Sequence, residues 1–154
     1  MSVTENRLAE LGIALPDAND AVANYVCVQR VGNMLYFSGC GPMSGRTPLY
    51  QGKLGSELTV EEGYNAARAA MLALLGQLKQ ELGDLDRVKR FVKLLAFVAS
   101  APDFTQQPAV VNGASDLLVE VFGERGRHAR SAIGVSVLPF DIPVEIEMIV
   151  ETEG

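Results

Sequence analysis

From Val88 to Ala99 the chain is an almost unbroken apolar run, interrupted only by Lys89, Arg90 and Lys93 near its start. Such a run suits a central strand covered on both faces for most of its length. The segment before it has a different period. Thr59-Val60-Glu61-Glu62 carries the Thr-x-x-Glu pattern of a capping box, in which hydroxyl and carboxylate satisfy backbone N–H groups left free at a helix start. Val60, Tyr64, Ala67, Met71, Leu74, Leu75, Leu78 and Leu82 then recur at intervals of three and four, and Gly83 supplies a stop. A second helix, Pro108 to Phe122, carries Val110, Val111, Ala114, Leu118, Val121 and Phe122 on one face and ends at Gly123.

Strand signals flank this centre. Residues 25–30 and 34–38 form a predicted hairpin about Gly32-Asn33, and Ala129–Leu138 with Pro143–Glu151 form a second about Pro139–Ile142. Pro42 to Glu57 reads as a long surface loop with at most a short strand near Leu49–Gln51. The order β-β-(β)-α-β-α-β-β predicts an α+β fold: a mixed, mostly antiparallel sheet of about six strands with two helices on one face. All 154 residues read as one domain, residues 1–24 being an N-terminal extension. The other face of the sheet has no cover of its own, and another copy of the chain is the cover within reach.

Composition narrows the partners. The net charge of −6 disfavours nucleic acid, which needs clustered Lys and Arg, and leaves only a local basic patch. No segment approaches the roughly 18 consecutive apolar residues of a membrane helix, and the first residues lack a signal-peptide pattern, so the expectation is cytoplasmic. Cys27 and Cys40 lack metal or disulfide spacing and read as inert thiols. The single histidine, His128, excludes motifs that need two, and no Gly-x-Ser-x-Gly elbow partners it. No metal site is expected.

Alternation along the first strand of the terminal hairpin puts Arg130 on one side with Ala132, Gly134 and Ser136. A guanidinium over so open a floor can fork onto a planar carboxylate. An interface or surface salt bridge is the other reading, and spacing alone favours it. Glu145 and Glu147 share one side of the last strand, either as acid–base groups or as solvated edge residues. Symmetric pairing of that hairpin would set Arg130 opposite Glu151 and leave Glu145 roughly 20 Å away at ~3.4 Å per residue, so a shared site would form between subunits. Ser38-Gly39-Cys40-Gly41 is either a plain turn or a backbone approach to a ligand. Tyr25 and Asn112 are each a ligand contact or a packing residue.

These residues together resemble the Rid/YjgF/L-PSP family. The resemblance runs through Tyr25, Gly32-Asn33, Leu35, Ser38-Gly39, Asn112, Arg130-Ser131, Leu138-Pro139 and Val144-Glu145-Ile146-Glu147. Its specific part is R-S-x(6)-L-P-x(4)-[IV]-E-I-E, and the extension with Gly113-Ala114-Ser115-Asp116 is similar to the longer branch. It implies a chorismate-mutase-like fold, a homotrimer whose sheets line a barrel, and clefts between subunits. It also implies cofactor-free hydrolysis of 2-imino acids such as 2-iminopropanoate to 2-keto acids and ammonia. Arg130 would grip the substrate carboxylate and Glu145 would manage the attacking water. Tyr25, Ser38, Gly39, Asn112 and Ala132 would line the pocket, and Ala132 departs from the cysteine common in deaminase members. A non-catalytic trimer binding small carboxylates or a partner is the alternative. The endoribonuclease label that members carry fits poorly with the acidic balance.

Overall fold

The computed structural model describes residues 2–154. Its elements are α1 (Val3–Glu10), β1 (Val28–Val31), β2 (Met34–Phe37), β3 (Met43–Ser44), β4 (Thr47–Pro48), α2 (Val60–Leu82), β5 (Val88–Ala99), α3 (Gln107–Phe122), β6 (Ala129–Val135) and β7 (Val144–Thr152). The fold is α+β, with one mixed sheet in the order β1-β2-β7-β5-β6. Only the β5–β6 pair is parallel.

The capping box closes as its sequence predicts. Thr59 Oγ1 accepts from the Glu62 N–H at 3.2 Å, and the Thr59 N–H donates to Glu62 Oε1 at 3.1 Å. From there Ala66, Ala67, Ala70, Met71, Leu74, Leu75 and Leu78 of α2 are fully buried against the sheet. Leu94, Ala96 and Val98 of β5 meet them, beside Val144, Ile146, Met148 and Val150 of β7. Each fully buried leucine contributes about 1.5–3 kcal/mol. The helices also approach each other closely, because Gly113 of α3 lies against the Tyr64 carbonyl of α2 with no room for a side chain.

The main sheet has five strands. The short strand expected near Leu49–Gln51 is not formed, and the 42–57 loop instead folds back on itself as the β3–β4 hairpin, a separate two-stranded unit. A second expectation is corrected at the C-terminus: β6 and β7 do not pair. β5 lies between them, with Leu94 beside Arg130 on one side and Met148 on the other. The α3 crossover returns β6 parallel to β5 and takes that edge, so β7 must take the opposite one. The Pro139–Asp141 segment, which reads as a hairpin turn, passes over the end of β5. There Ser100 N–H donates to Val135 O at 2.9 Å and Ala99 N–H to Pro143 O at 2.8 Å.

Along β7, buried residues alternate with half-buried ones. The buried set faces the helices; Glu145 and Glu147 face the side without helices. Phe97 pairs with both Glu145 and Ile133, so these three share that open face. Ile133 and Tyr36 are each 44% exposed there. An apolar stripe crossed by carboxylates therefore runs over the uncovered side of the sheet.

The N-terminal segment is docked at points from Val3 to Asn19. The Asp86 carboxylate accepts from the N–H groups of Val3 and Thr4 at 2.8 and 2.9 Å and from the Thr4 hydroxyl at 2.6 Å, placing an anion at the α1 N-terminus. These bonds hold the Asp86 carboxyl below its ordinary pKa, the Thr4 hydroxyl contributing most. Lys79 pairs with Glu5. Further on, Gln77 Nε2 donates to Asn19 O at 2.8 Å, and Pro16 lies on Gly76 of α2.

Candidate functional site

The residues singled out in the sequence fall into two groups at different places. The first surrounds a cleft of about 630 Å³ between α2 and the N-terminal segment. Tyr25, Ser38 and Gly39 line it, together with Cys27 and Cys40. Tyr25 lies ahead of β1 rather than within a strand. Ser38 Oγ donates to Val26 O at 2.7 Å, which ties the end of β2 to the approach to β1.

Glu145 stands beside this group. A Cβ built on Gly39 would come within 2.9 Å of Glu145 Cδ, so the carboxylate arm occupies the space a side chain would need. Burial raises the Glu145 pKa above its ordinary value, and the neighbouring Glu147 charge raises it further. A carboxyl group displaced upward in this way is a better proton acceptor once ionised. Cys40 bridges to Ile146 through reciprocal backbone bonds of 2.9 Å. Burial, Cys27 and Glu145 together push its thiol up to about 12, which keeps it protonated and unreactive.

The second group lies on the α3 side of β6. Arg130 shares the helix-covered face with Leu94 and Met148, and does not stand over an open floor as its alternation with small residues suggests. Its Nη1 donates to Ser115 Oγ at 3.0 Å and its Nη2 to Pro108 O at 3.3 Å. Pro108, Asn112 and Ser115 are spaced four and three apart, so one face of α3 presents all three, with exposed Asn112 between the two that hold the arginine. Ala132 sits next but one along β6, half-buried beside Ala96.

Arg130 and Glu145 thus occupy opposite faces of the sheet. Across β5 they are also offset, since Arg130 aligns with Met148 and Glu145 is three residues away. Two strand spacings and three residues amount to roughly 14 Å in-plane. The 20 Å expected from a β6–β7 hairpin is therefore replaced by a shorter distance, and the opposite facing still keeps the two from meeting within one chain. Among the described residues no carboxylate pairs with Arg130, as with Arg46, Arg87 and Arg125, whereas Arg7, Arg30, Arg68, Arg90 and Arg127 each have one.

Sequence reasoning missed two contributors. The N-terminal segment supplies Ala14, Pro16, Asp17, Asn19, Asp20 and Val22 to the cleft wall, and nothing in its pattern announces that. His128 was legible in part: it stands two residues before Arg130 and so shares its side of the strand. Its ring bonds Ser115 at 2.9 Å. Among the described residues no three His, Cys, Asp or Glu side chains form a metal-binding group, and no helix is long and apolar enough to cross a membrane.

A mixed sheet with two long helices on one face defines a chorismate-mutase-like α+β protein. The family described as "YjgF/chorismate_mutase-like, putative endoribonuclease" matches residues 5–151, and the chain belongs to it. Protein TCP17 of Trypanosoma cruzi is 51% identical over 145 residues, spanning 94% of this chain and 91% of that protein. Atu1372, a protein with unknown function from Agrobacterium tumefaciens, superposes with a TM-score of 0.91 at 45% identity, covering 98% of this chain and 93% of its own. A "putative endoribonuclease" from Shewanella oneidensis superposes at 0.92 with 38% identity, covering 96% and 98%. Both superpositions take in nearly the whole chain, the N-terminal segment included.

Proposed function

We propose that this protein is a cofactor-independent hydrolase of 2-imino or enamine acids, working as a homotrimer with its clefts between neighbouring copies. The observation that carries the reading is the opposite facing of Arg130 and Glu145. One chain offers a guanidinium free of carboxylate partners on β6, and a half-buried glutamate with raised pKa near a cleft. A neighbouring copy completes the pair, and the uncovered face with Tyr36, Phe97 and Ile133 supplies apolar area for the contact.

In this reading Arg130 of one copy forks onto the substrate carboxylate and fixes the C=N carbon over the cleft of the next. Glu145 accepts a proton from water as its oxygen bonds to that carbon. The C=N electron pair moves to nitrogen, which takes a proton from solvent to give the carbinolamine. Glu145 then passes its proton to that nitrogen, and ammonia leaves as the hydroxyl releases its proton to solvent and C–O becomes C=O, leaving the 2-keto acid. Tyr25, Ser38 and Gly39 shape the receiving cleft, and Asn112 and Ala132 flank the arginine. TdcF of Escherichia coli, solved with bound serine, has the same fold at a TM-score of 0.62 and 21% identity, a likeness that speaks for the fold alone.

Complementation tests both parts. Imines are generated with an amino-acid oxidase and trapped with semicarbazide, and Arg130→Ala, Glu145→Gln and a refolded mixture of the two are compared. Each variant alone should fail to compete with the trap, while mixed trimers regain one complete cleft and with it activity. A mixture as inactive as its parts, with wild type active, would place both residues' work within single chains. Wild type that never competes with the trap leaves the carboxylate-binding alternative.

A further inference from the structure

The Arg130 guanidinium is held by a chain of bonds that has one direction. His128 Nδ1 lies 2.7 Å from Gly126 O. A carbonyl can only accept, so Nδ1 carries the ring proton. In the neutral ring Nε2 is then an acceptor, and the group 2.9 Å away is the Ser115 hydroxyl, which must donate to it. With its one proton committed to the ring, Ser115 Oγ turns lone pairs toward Arg130, whose Nη1–H donates to it at 3.0 Å. The order is Arg130 to Ser115 to His128 to Gly126, each donor fixed by the next acceptor.

The surroundings keep that order. Burial lowers the His128 pKa below its ordinary value, and the Arg130 charge lowers it further, against the opposing pull of the Gly126 bond. Of the five N–H donors of the guanidinium, Ser115 and Pro108 occupy two and leave the others for a ligand.

We propose that His128 is a positioning residue for Arg130, acting through Ser115 to aim the guanidinium at the carboxylate of the substrate. The inference rests on the reading of Arg130 as a carboxylate clamp. Neither Ser115 nor His128 touches the reacting atoms. Their part is to remove rotational freedom from a long cationic side chain before the ligand arrives, which lowers the entropy lost on binding.

Two substitutions at one position separate this role from a structural one. His128→Gln puts a carbonyl oxygen where Nε2 stands and keeps an acceptor for Ser115. His128→Asn puts an amide N–H where Nδ1 stands; it keeps the Gly126 bond and loses the link to Ser115. With 2-iminopropanoate generated in situ, His128→Asn and Ser115→Ala should each raise KM about 3–10-fold with kcat little changed, the loss of about one aimed hydrogen bond. His128→Gln should stay near wild type. Combining His128→Asn with Ser115→Ala should cost no more than either alone, because both break one chain. The same KM for Asn and Gln variants, or a fall in kcat at constant KM, overturns the proposal. Because His128 is the only histidine, imidazole NMR reads its tautomer without ambiguity, and a proton on Nε2 rather than Nδ1 would reverse the chain and also overturn it.

If wild type hydrolyses no imine, calorimetric titration with pyruvate keeps the two readings apart. Weaker pyruvate binding in His128→Asn and Ser115→Ala, but not in His128→Gln, upholds the positioning role in a protein that only binds. Equal binding in all of them, or no binding to wild type, overturns it.

Discussion

The carboxylate arm of Glu145 lies over the α-carbon of Gly39, in the space a methyl group would fill. Glycine here makes room for a side chain, since its backbone is not in the left-handed region. Gly39→Ala should therefore push Glu145 aside. The displaced group is the end of a flexible side chain, so stability should change by less than about 1 kcal/mol. Imine hydrolysis should fall by about tenfold or more, because a proton acceptor misplaced by about 1 Å loses its reach. Thermal melts beside the semicarbazide assay check this; unchanged activity would mean that Gly39 does not set the position of Glu145.

Glu145 and Glu147 share one face of β7, and the charge on Glu147 helps to raise the Glu145 pKa after burial has done most of the work. Glu147→Gln removes the like charge. The acid limb of the activity profile should then move to lower pH, since the Glu145 pKa falls toward its ordinary value. The sign for stability is the reverse of a salt-bridged carboxylate. A folded pKa above the unfolded one means that the group favours folding below the unfolded value and loses that contribution as pH rises through the folded one. Glu145→Gln should therefore melt at or above the wild-type temperature near pH 7.5, with the gain shrinking as pH falls through the raised Glu145 pKa and gone below its ordinary value of 4.5. It should at the same time lose about 10²–10⁴-fold in hydrolysis. A lower melting temperature near neutrality would contradict the burial argument.

How far the sequence could be read depended on whether a feature was local. The capping box at Thr59, the α2 stripe from Ala67 to Leu82 and the buried β5 run all rest on residues a few positions apart, and each forms as its pattern predicts. The partner of β7 rests on the path of the chain through α3, which periodicity does not encode. Pro139-Phe140-Asp141 has the chemistry of a tight turn whether β7 pairs with β6 or passes over the end of β5. Alternation correctly put Arg130 and Ala132 on one side of β6, but which side α3 would cover was not in the pattern. The N-terminal segment was opaque for a further reason: its contacts with Gly76, Gln77 and Asp86 run from backbone groups to positions far along the chain.

The cleft wall carries Asp17 and Asp20 and no lysine or arginine. If the substrate's side chain enters this cleft while its carboxylate sits on Arg130, a second carboxylate would meet like charge with nothing to neutralise it. Imines from leucine or methionine should thus outcompete those from aspartate or glutamate. Asp17→Asn with Asp20→Asn should narrow the gap by severalfold at low ionic strength and by less in high salt, where exposed charges are screened. Equal use of acidic and neutral imines by wild type would mean that the side chain points elsewhere.

The segment that builds this wall is pinned where the Pro16 carbonyl meets Gly76 of α2. Gly76→Ala should lift it away from the helix, because the obstructing atom is backbone and cannot rotate aside. Limited proteolysis should then cut between residues 12 and 24 faster than in wild type, while α2, α3 and the sheet keep their protection against hydrogen exchange. Unchanged cleavage would mean that the bond from Gln77 to Asn19 holds the segment without the Pro16 contact.

Gly113→Ala gives a test of the helix seam in which the sign decides. In an exposed helix interior, replacing glycine by alanine stabilises by about 1 kcal/mol, since alanine has the better helix propensity. Gly113 is buried, and a Cβ there would run into the Tyr64 carbonyl, with the Arg68 backbone nitrogen next to it. No flexible side chain stands there to yield, so α2 and α3 must separate. That should cost about 1–3 kcal/mol of overpacking and outweigh the propensity gain. Tyr64→Phe serves as the control at the same seam. It removes only the exposed hydrogen bond to Asp116 at 2.7 Å and should cost about 1 kcal/mol or less. A melting temperature for Gly113→Ala several degrees below that of Tyr64→Phe supports backbone contact between the helices; one above wild type would show that they pack more loosely than this.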